Sequence, residues 1–297
     1  MRLPDLHHGN LPGFRTSYLL MTPSASLPAQ QIKQLGAGRV FLLAAGMAVW
    51  TTLLGGGIVP LLLAGSPPAA VRKVTRLWAR GVLAMGRRIG GIHHVVEGTA
   101  PEAPCLILCN HQSAWETIAA LVLFPDVAIV AKRELLRIPV FGWYLGHSPM
   151  IIIDRLAGLE SIRTMARETA AALREGRTVL IFPEGTRMTP DEPIRFKRGL
   201  EHLLRALPVP LVPVVHDAGR YWRRDGKREG TIVVRILPAL DGNAPPALLV
   251  RRAEAAMNAA RPEAAAQSGA LIARAIEAGA PRGARAADRT PEASKGK

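Results

Sequence analysis

Leu106-Ile-Leu-Cys-Asn-His-Gln-Ser-Ala-Trp-Glu116 is the stretch on which the reading of this chain turns. Cys105 to Cys109 is an apolar run of strand length that stops at Asn110-His111, and Trp115 to Leu123 then reads as a helix. Ser113 is suited to cap that helix. A histidine thus leaves a strand end just ahead of a helix N-terminus, with an acid, Glu116, further along. Five helical residues turn about 500°, so the two side chains do not share a face of one regular helix. They meet only if His111 lies in the entry turn and Glu116 in the first turn. A carboxylate accepting from one imidazole nitrogen fixes the tautomer and makes the other nitrogen a better base. The plainer alternative is a histidine that caps and a glutamate that favours the positive end of the helix dipole.

Beyond this stretch the pattern alternates. Strands are predicted at Ile92–Val96, Val127–Ala131, Met150–Ile153, Thr178–Phe182, Leu211–Val215 and Thr231–Leu237. Helices are predicted at Leu135–Leu145, Leu159–Glu175 (with Gly176 as its stop) and Gly199–Leu207. The expected fold class is α/β: a mixed, largely parallel sheet flanked by helices, with sites at strand C-termini.

An N-terminal membrane-associated helical segment precedes this domain. Val40 to Ala64 carries no charged residue and is long enough to cross a bilayer as a helix. Gly55-Gly56-Gly57 and Pro60 interrupt it, so it reads as one kinked span or as two short helices in a re-entrant hairpin. A buried core helix is the soluble alternative. Lys33 and Arg39 on one side and Arg72, Lys73 and Arg76 on the other favour the hairpin or an anchor on anionic headgroups. Val71 to Arg88 follows as a basic amphipathic helix. The expected organisation is a poorly ordered N-terminus at 1–35, a membrane-anchoring helical region at 36–88, an α/β domain at 89–245, and a C-terminal helix with a disordered basic tail at 246–297.

Composition narrows the partners. The net charge is +15, from 38 Lys and Arg against 23 Asp and Glu, over 297 residues that are 48% hydrophobic. A basic surface suits anionic lipid, acidic substrates or nucleic acid, but no basic run interleaved with aromatics supports the last. Cys105 and Cys109 share a strand face too far apart for an easy disulfide, which suits a reducing compartment. No second Cys or His pair accompanies them, so no metal site is expected. Ser113 is not set in a Gly-x-Ser-x-Gly elbow, which argues against a hydrolase. His147, His202 and His216 read as structural or surface residues. Trp222 with Arg223-Arg224 reads as a headgroup contact or an ordinary basic loop.

A second constellation changes the weight of the first. Phe182-Pro183-Glu184-Gly185-Thr186-Arg187 stands at the end of a strand. Its Pro and Gly bend the backbone, and Arg187 carries the planar fork that binds phosphate. Lys132, past another strand end, adds a point charge, and Phe196-Lys197-Arg198-Gly199 adds more.

The chain here resembles the glycerolipid acyltransferase family. Asn110 to Glu116 is similar to the first of its blocks, Lys132-Arg133-Glu134-Leu135 with Pro139 and Gly142 to the second, Phe182 to Arg187 to the third and Val212-Pro213-Val214 to the fourth. The resemblance implies transfer of an acyl group from a thioester to the sn-2 hydroxyl of lysophosphatidic acid (1-acyl-glycerol-3-phosphate), giving phosphatidic acid. By that carry-over His111 is the general base and Glu116 its orienting acid. Lys132 and Arg187 bind the glycerol phosphate, Glu184, Gly185 and Thr186 shape the loop around it, and Pro213 helps wall the pocket. No cofactor or metal is implied; the donor is acyl-carrier protein or acyl-CoA, the other partners are membrane lipids, and the location is the cytoplasmic face of the inner membrane. The family most often has Asp where Glu116 stands, so a shifted helix start or a water-bridged pair is expected. Two alternatives stay open: another lysolipid acceptor such as a lyso-ornithine lipid, and a non-catalytic basic membrane-binding protein.

Overall fold

The structure, a computed structural model, describes residues 33–262 except 102–103, 125, 155–156 and 224. Residues 1–32 of the N-terminus expected to be poorly ordered, residues 263–297 with the expected basic tail, and Arg224 lie outside the described residues.

Seven strands form one sheet: β1 (Ile92–Glu97), β2 (Leu106–Cys109), β3 (Ala128–Lys132), β4 (Ile151–Ile153), β5 (Val179–Ile181), β6 (Leu211–His216) and β7 (Gly230–Ile236). Their order is β1-β7-β6-β2-β5-β3-β4, parallel throughout except at the antiparallel β6–β7 pair. The sheet is therefore mixed and largely parallel, as the alternation predicts. Strand β2 lies in its middle, and its residues alternate between two cores. Cys105, Ile107 and Cys109 face one core, whose Trp115 and Ala119 come from the helix after β2; Leu106 and Leu108 face the other. A strand buried on both faces has no room for polar side chains, which is why this stretch reads as a continuous apolar run. Both cysteines are free and buried.

Helix α1 (Ala37–Gly55) runs into α2 (Ile58–Leu63) through Gly56 and Gly57, which keep right-handed helical dihedrals. The glycines therefore bend the chain without reversing it, and the hairpin expected inside residues 40–64 is not formed there. The chain reverses afterwards, at Gly65 and Ser66 with positive φ, and returns as α3 (Pro68–Arg88). Helices α1 and α3 pack antiparallel. Gly81 takes the Trp50 indole so closely that an added Cβ would lie 2.2 Å from Trp50 Nε1. The Trp50 and Trp78 ring N–H groups donate to Trp78 O and Thr51 Oγ1.

Both ends of α1 are tied to the α/β domain. Arg39 pairs with Glu229 and donates to Ile89 O at one end, and Tyr144 Oη donates to Leu54 O at the other. A helix bound along its length to a domain lies against it rather than projecting away. Its outer side exposes Phe41, Leu42, Val49 and Leu53, so the reading as a buried core helix does not hold.

Two expectations differ locally. The helix predicted over Leu135–Leu145 splits into a 3-10 turn (Arg133–Arg137) and α5 (Phe141–His147). Pro139 disfavours helical dihedrals at Ile138, and Val140 then takes φ +61°. Residues 33–35, assigned to the poorly ordered N-terminus, are paired instead: Gln34 bridges Arg228, Leu35 N–H donates to Lys227 O, and Leu35 is buried. The remaining helices are α4 (Trp115–Leu123), α6 (Leu159–Arg174), α7 (Gly199–Arg205) and α8 (Pro246–Ala259). Gly176 closes α6 with φ +74°, its N–H donating to Leu173 O and that of Arg177 to Ala172 O.

Candidate active site

The parallel strands β2, β5 and β3 end side by side. Ile107, Leu180 and Ile129 stand in register across them, so the chain after each strand emerges on one rim. That rim carries His111 after β2, Glu184 to Arg187 after β5 and Lys132 at the end of β3. With strands about 4.8 Å apart it spans about 10 Å.

His111 and Glu116 meet as the strand-to-helix junction requires. His111 Nδ1 lies 2.9 Å from Glu116 Oε1. Glu116, in the first turn of α4, also accepts from Gln112 N–H and Ser113 N–H through Oε1 and from the Ser113 hydroxyl through Oε2. Ser113 Oγ accepts in turn from Trp115 N–H, so Ser113 and Glu116 form a reciprocal cap at the start of α4. The contact to His111 is direct. The extra methylene of Glu116 is absorbed by the side chain folding back over its own helix N-terminus, and neither the shifted start nor the water bridge is needed.

Burial alone would raise the Glu116 carboxyl, but the His216 and His111 imidazoles and the Ser113 hydroxyl outweigh it and leave it at about 2. Burial lowers the His216 pKa against the pull of Glu116; its Nδ1 accepts Ala218 N–H and its Nε2–H donates to Asn110 O. An ionised Glu116 accepts Nδ1–H from His111 and leaves the lone pair on Nε2 of a partly exposed ring, with no partner for it among the described residues.

Three further contacts fix the His111 backbone and ring. Glu184 Oε2 accepts His111 N–H at 2.6 Å. Met188 N–H donates to His111 O at 2.8 Å. The ring stacks on Phe182 with centroids 4.2 Å apart. The preceding residue, Asn110, is locked to β6: its side-chain amide bonds both the N–H and O of His216, and His216 Nε2–H donates to Asn110 O.

The expected substrate-binding residues divide. Gly185 (φ +67°) makes the turn, with Lys197 packed against it. Thr186 and Arg187 are exposed on the rim beside His111, and Lys132 is exposed at the end of β3. Lys132 and Arg187 have no hydrogen-bond or ion-pair partner among the described residues. Glu184 is a correction: only 3% exposed, it points inward to His111 rather than outward to a substrate. Burial, with Glu116 and Glu192 nearby, pushes its carboxyl up to about 7 against the bond from His111 N–H. Pro213 is a second correction. It is buried within β6, opposite Leu108, as a member of the sheet. Its carbonyl accepts Leu237 N–H, so its ring nitrogen faces β7 too and no ladder bond to β2 is lost.

Sequence reasoning read His216 as structural or surface, which its buried place fits, but missed its bracing of Asn110 and the inward role of Glu184. The single available signal was position: His216 ends a strand that neighbours the His111 strand, which needs the sheet order to be seen. No group of three or more metal-ligating side chains occurs among the described residues.

An imidazole–carboxylate pair with an open nitrogen, set beside unpaired cations on a strand-end rim, is the equipment of an enzyme that activates a hydroxyl near an anionic group. The profile of the Acyltransferase family matches residues 91–217. The chain is 40% identical over 222 residues to the 1-acyl-sn-glycerol-3-phosphate acyltransferase of Pseudomonas aeruginosa, covering 72% of this chain and 85% of that one. It is 30% identical to the alpha enzyme of that name from Mus musculus, over 62% of this chain and 68% of that one. The crystal structure of the 1-acyl-sn-glycerophosphate acyltransferase from Thermotoga maritima shares the fold, with a TM-score of 0.61 at 21% identity, over 76% of this chain and 95% of that one. This chain belongs to the acyltransferase family, among the relatives of the 1-acyl-sn-glycerol-3-phosphate acyltransferases.

Proposed function

We propose that this acyltransferase moves an acyl group from a thioester to the sn-2 hydroxyl of 1-acyl-glycerol-3-phosphate and so makes phosphatidic acid. The observation that carries the reading is the His111–Glu116 pair, with Nε2 open, beside the unpaired Arg187 and Lys132. The phosphate of the acceptor sits on Arg187 and Lys132, which brings its hydroxyl to His111. His111 Nε2 takes the hydroxyl proton as the oxygen attacks the thioester carbonyl. The C–S bond breaks, and the departing thiolate takes the proton back from the imidazolium. Glu116 holds the imidazolium through Nδ1–H, and no acyl-enzyme intermediate is needed. The donor is an acyl thioester of carrier protein or coenzyme A, and no cofactor takes part. The exposed apolar side of α1 and α2 lies in the inner membrane, with the rim facing the cytoplasm.

The test is acyl transfer in detergent micelles by wild type, His111→Ala and Arg187→Ala, with lysophosphatidic acid and with a phosphate-free lyso-ornithine lipid. Loss of about 10²–10⁴ in kcat is expected for His111→Ala, and a raised KM for lysophosphatidic acid with little change in kcat for Arg187→Ala. Better turnover of the lyso-ornithine lipid by wild type would replace the acceptor. Undiminished activity of His111→Ala would remove the mechanism.

A further inference from the structure

Three arginines converge on one aspartate at the end of the sheet opposite His111. Arg72 Nε lies 3.3 Å and Arg76 Nη2 3.6 Å from the same oxygen, Asp126 Oδ1. Arg177, just ahead of β5, donates from Nε to Asp126 O and from Nη1 to Pro149 O. Its third nitrogen, Nη2, is buried with no partner among the described residues, and the whole residue is 6% exposed. Asp126 presents its groups from a left-handed turn with φ +51°.

The charges do not balance. Two guanidiniums that stay protonated share one carboxylate, and a third bonds the backbone carbonyl of the same residue. A second acid, Glu175, acts on Arg177 from the exposed end of α6. Burial and the neighbouring Arg72 both work against the Arg177 charge. A buried donor left unpaired costs about 1–3 kcal/mol, and more when it is charged. Arg72, Thr75, Arg76 and Asp126 line a cavity of 10 Å³, backed by Leu121, Val127 and Met150. That is room for about one oxygen atom. An anionic oxygen there would meet two guanidiniums, while the Thr75 hydroxyl stays on Val71 O.

The setting selects the class of anion. Val71, adjacent to Arg72, packs against Leu61 of α2. On the outside of that helix Val59, Leu62 and Leu63 are exposed, Leu63 by 85%. An apolar helix that needs an acyl layer thus stands one short loop from the guanidinium cluster, where headgroups would lie. We infer that Arg72 and Arg76, with Arg177 behind them, form a site for the phosphate of an anionic bilayer phospholipid, separate from the reaction rim, with the acyl chains along the exposed side of α2. The site does not depend on which lysolipid is acylated. Inorganic phosphate offers the same oxygens without the chains, and the experiment separates the two.

The full chain in detergent micelles is titrated with dioctanoyl phosphatidylglycerol, which is neither the proposed acceptor nor its product, and binding is read by thermal shift. Dioctanoyl phosphatidylcholine and sodium phosphate are the comparison ligands. Wild type is expected to bind the anionic lipid more tightly than either. The Arg72→Gln/Arg76→Gln pair weakens that binding by about tenfold or more, through loss of charge-assisted bonds. Asp126→Asn strengthens it, because the amide keeps the turn and removes the competing charge. Arg187→Gln leaves it unchanged. Equal binding by wild type and the double variant, loss in Arg187→Gln instead, or weakening in Asp126→Asn overturns the site. Equal affinity for sodium phosphate overturns the lipid assignment.

Discussion

Glu184 Oε2 accepts the backbone N–H of His111 at 2.6 Å, so an acid from the β5 loop holds the histidine of the β2 loop in place across 73 residues of sequence. Two buried acids therefore serve one histidine in different ways. Glu116 orients the ring and Glu184 orients the backbone, and their environments drive their pKa values apart, to about 2 and about 7.

Glu184 makes stability depend on pH in a stated direction. Its folded pKa of about 7 lies above the ordinary 4.5, so its contribution is fully present below pH 4.5 and is lost as pH rises through 7. The interval corresponds to on the order of 3 kcal/mol. Glu184→Gln, which keeps an oxygen acceptor for His111 N–H, is expected to flatten this dependence. Denaturant titrations of wild type and variant at pH 5 and pH 8 check it; parallel losses in the two proteins would refute the assignment.

Glu116 gives the opposite sign. Its folded pKa of about 2 lies below 4.5, so its contribution is present above pH 4.5 and lost as pH falls towards 2. Glu116→Gln removes that acid sensitivity and costs activity, since the ring loses its anionic partner. Unfolding curves between pH 2 and 5 measure the first effect and kcat measures the second.

His216 acts through Asn110. Its buried ring donates to Asn110 O and accepts from Ala218 N–H, so His216→Ala leaves polar groups unpaired at a cost of about 1–3 kcal/mol. The expected kinetic signature is a lower kcat with KM for the acceptor nearly unchanged, partly rescued by His216→Gln. A change in KM alone would show that His216 does not set the position of His111.

The apolar side of α1 and α2 is expected to hold the protein on membranes. Phe41→Ser with Leu63→Ser, both at exposed positions, should reduce co-sedimentation with vesicles and leave the thermal midpoint nearly unchanged. Gly81→Ala should do the reverse. It forces the Trp50 indole away from α3 and lowers the midpoint by detaching α1 from the domain.

The strand-to-helix junction at His111 was legible because both of its halves are local. A doubly buried strand must be apolar throughout, and a helix start must satisfy its first N–H groups, here through Ser113 and Glu116. The single helix predicted over Leu135–Leu145 breaks at Pro139, because dihedral restriction at Ile138 competes with an otherwise helical pattern. The hairpin at the glycine triplet was misplaced for a related reason. Glycine permits a reversal without requiring one, and the packing of Trp50 on Gly81 decided where the chain turns back.

By itself the sequence determined the α/β class, the apolar N-terminal helical segment and the pairing of His111 with Glu116, since each rests on residues within a few turns or strand lengths of one another. Only the tertiary structure decided that Glu184 points inward, that Pro213 lies in the sheet, and that His216 braces Asn110. Those facts depend on the strand order β6-β2-β5, which places residues from three distant segments side by side. The same holds for Arg72, Arg76 and Arg177, whose convergence on Asp126 joins α3, the approach to β3 and the approach to β5. Strand order is set by how two apolar faces of a sheet are covered at once, a property of the whole chain that no local pattern records.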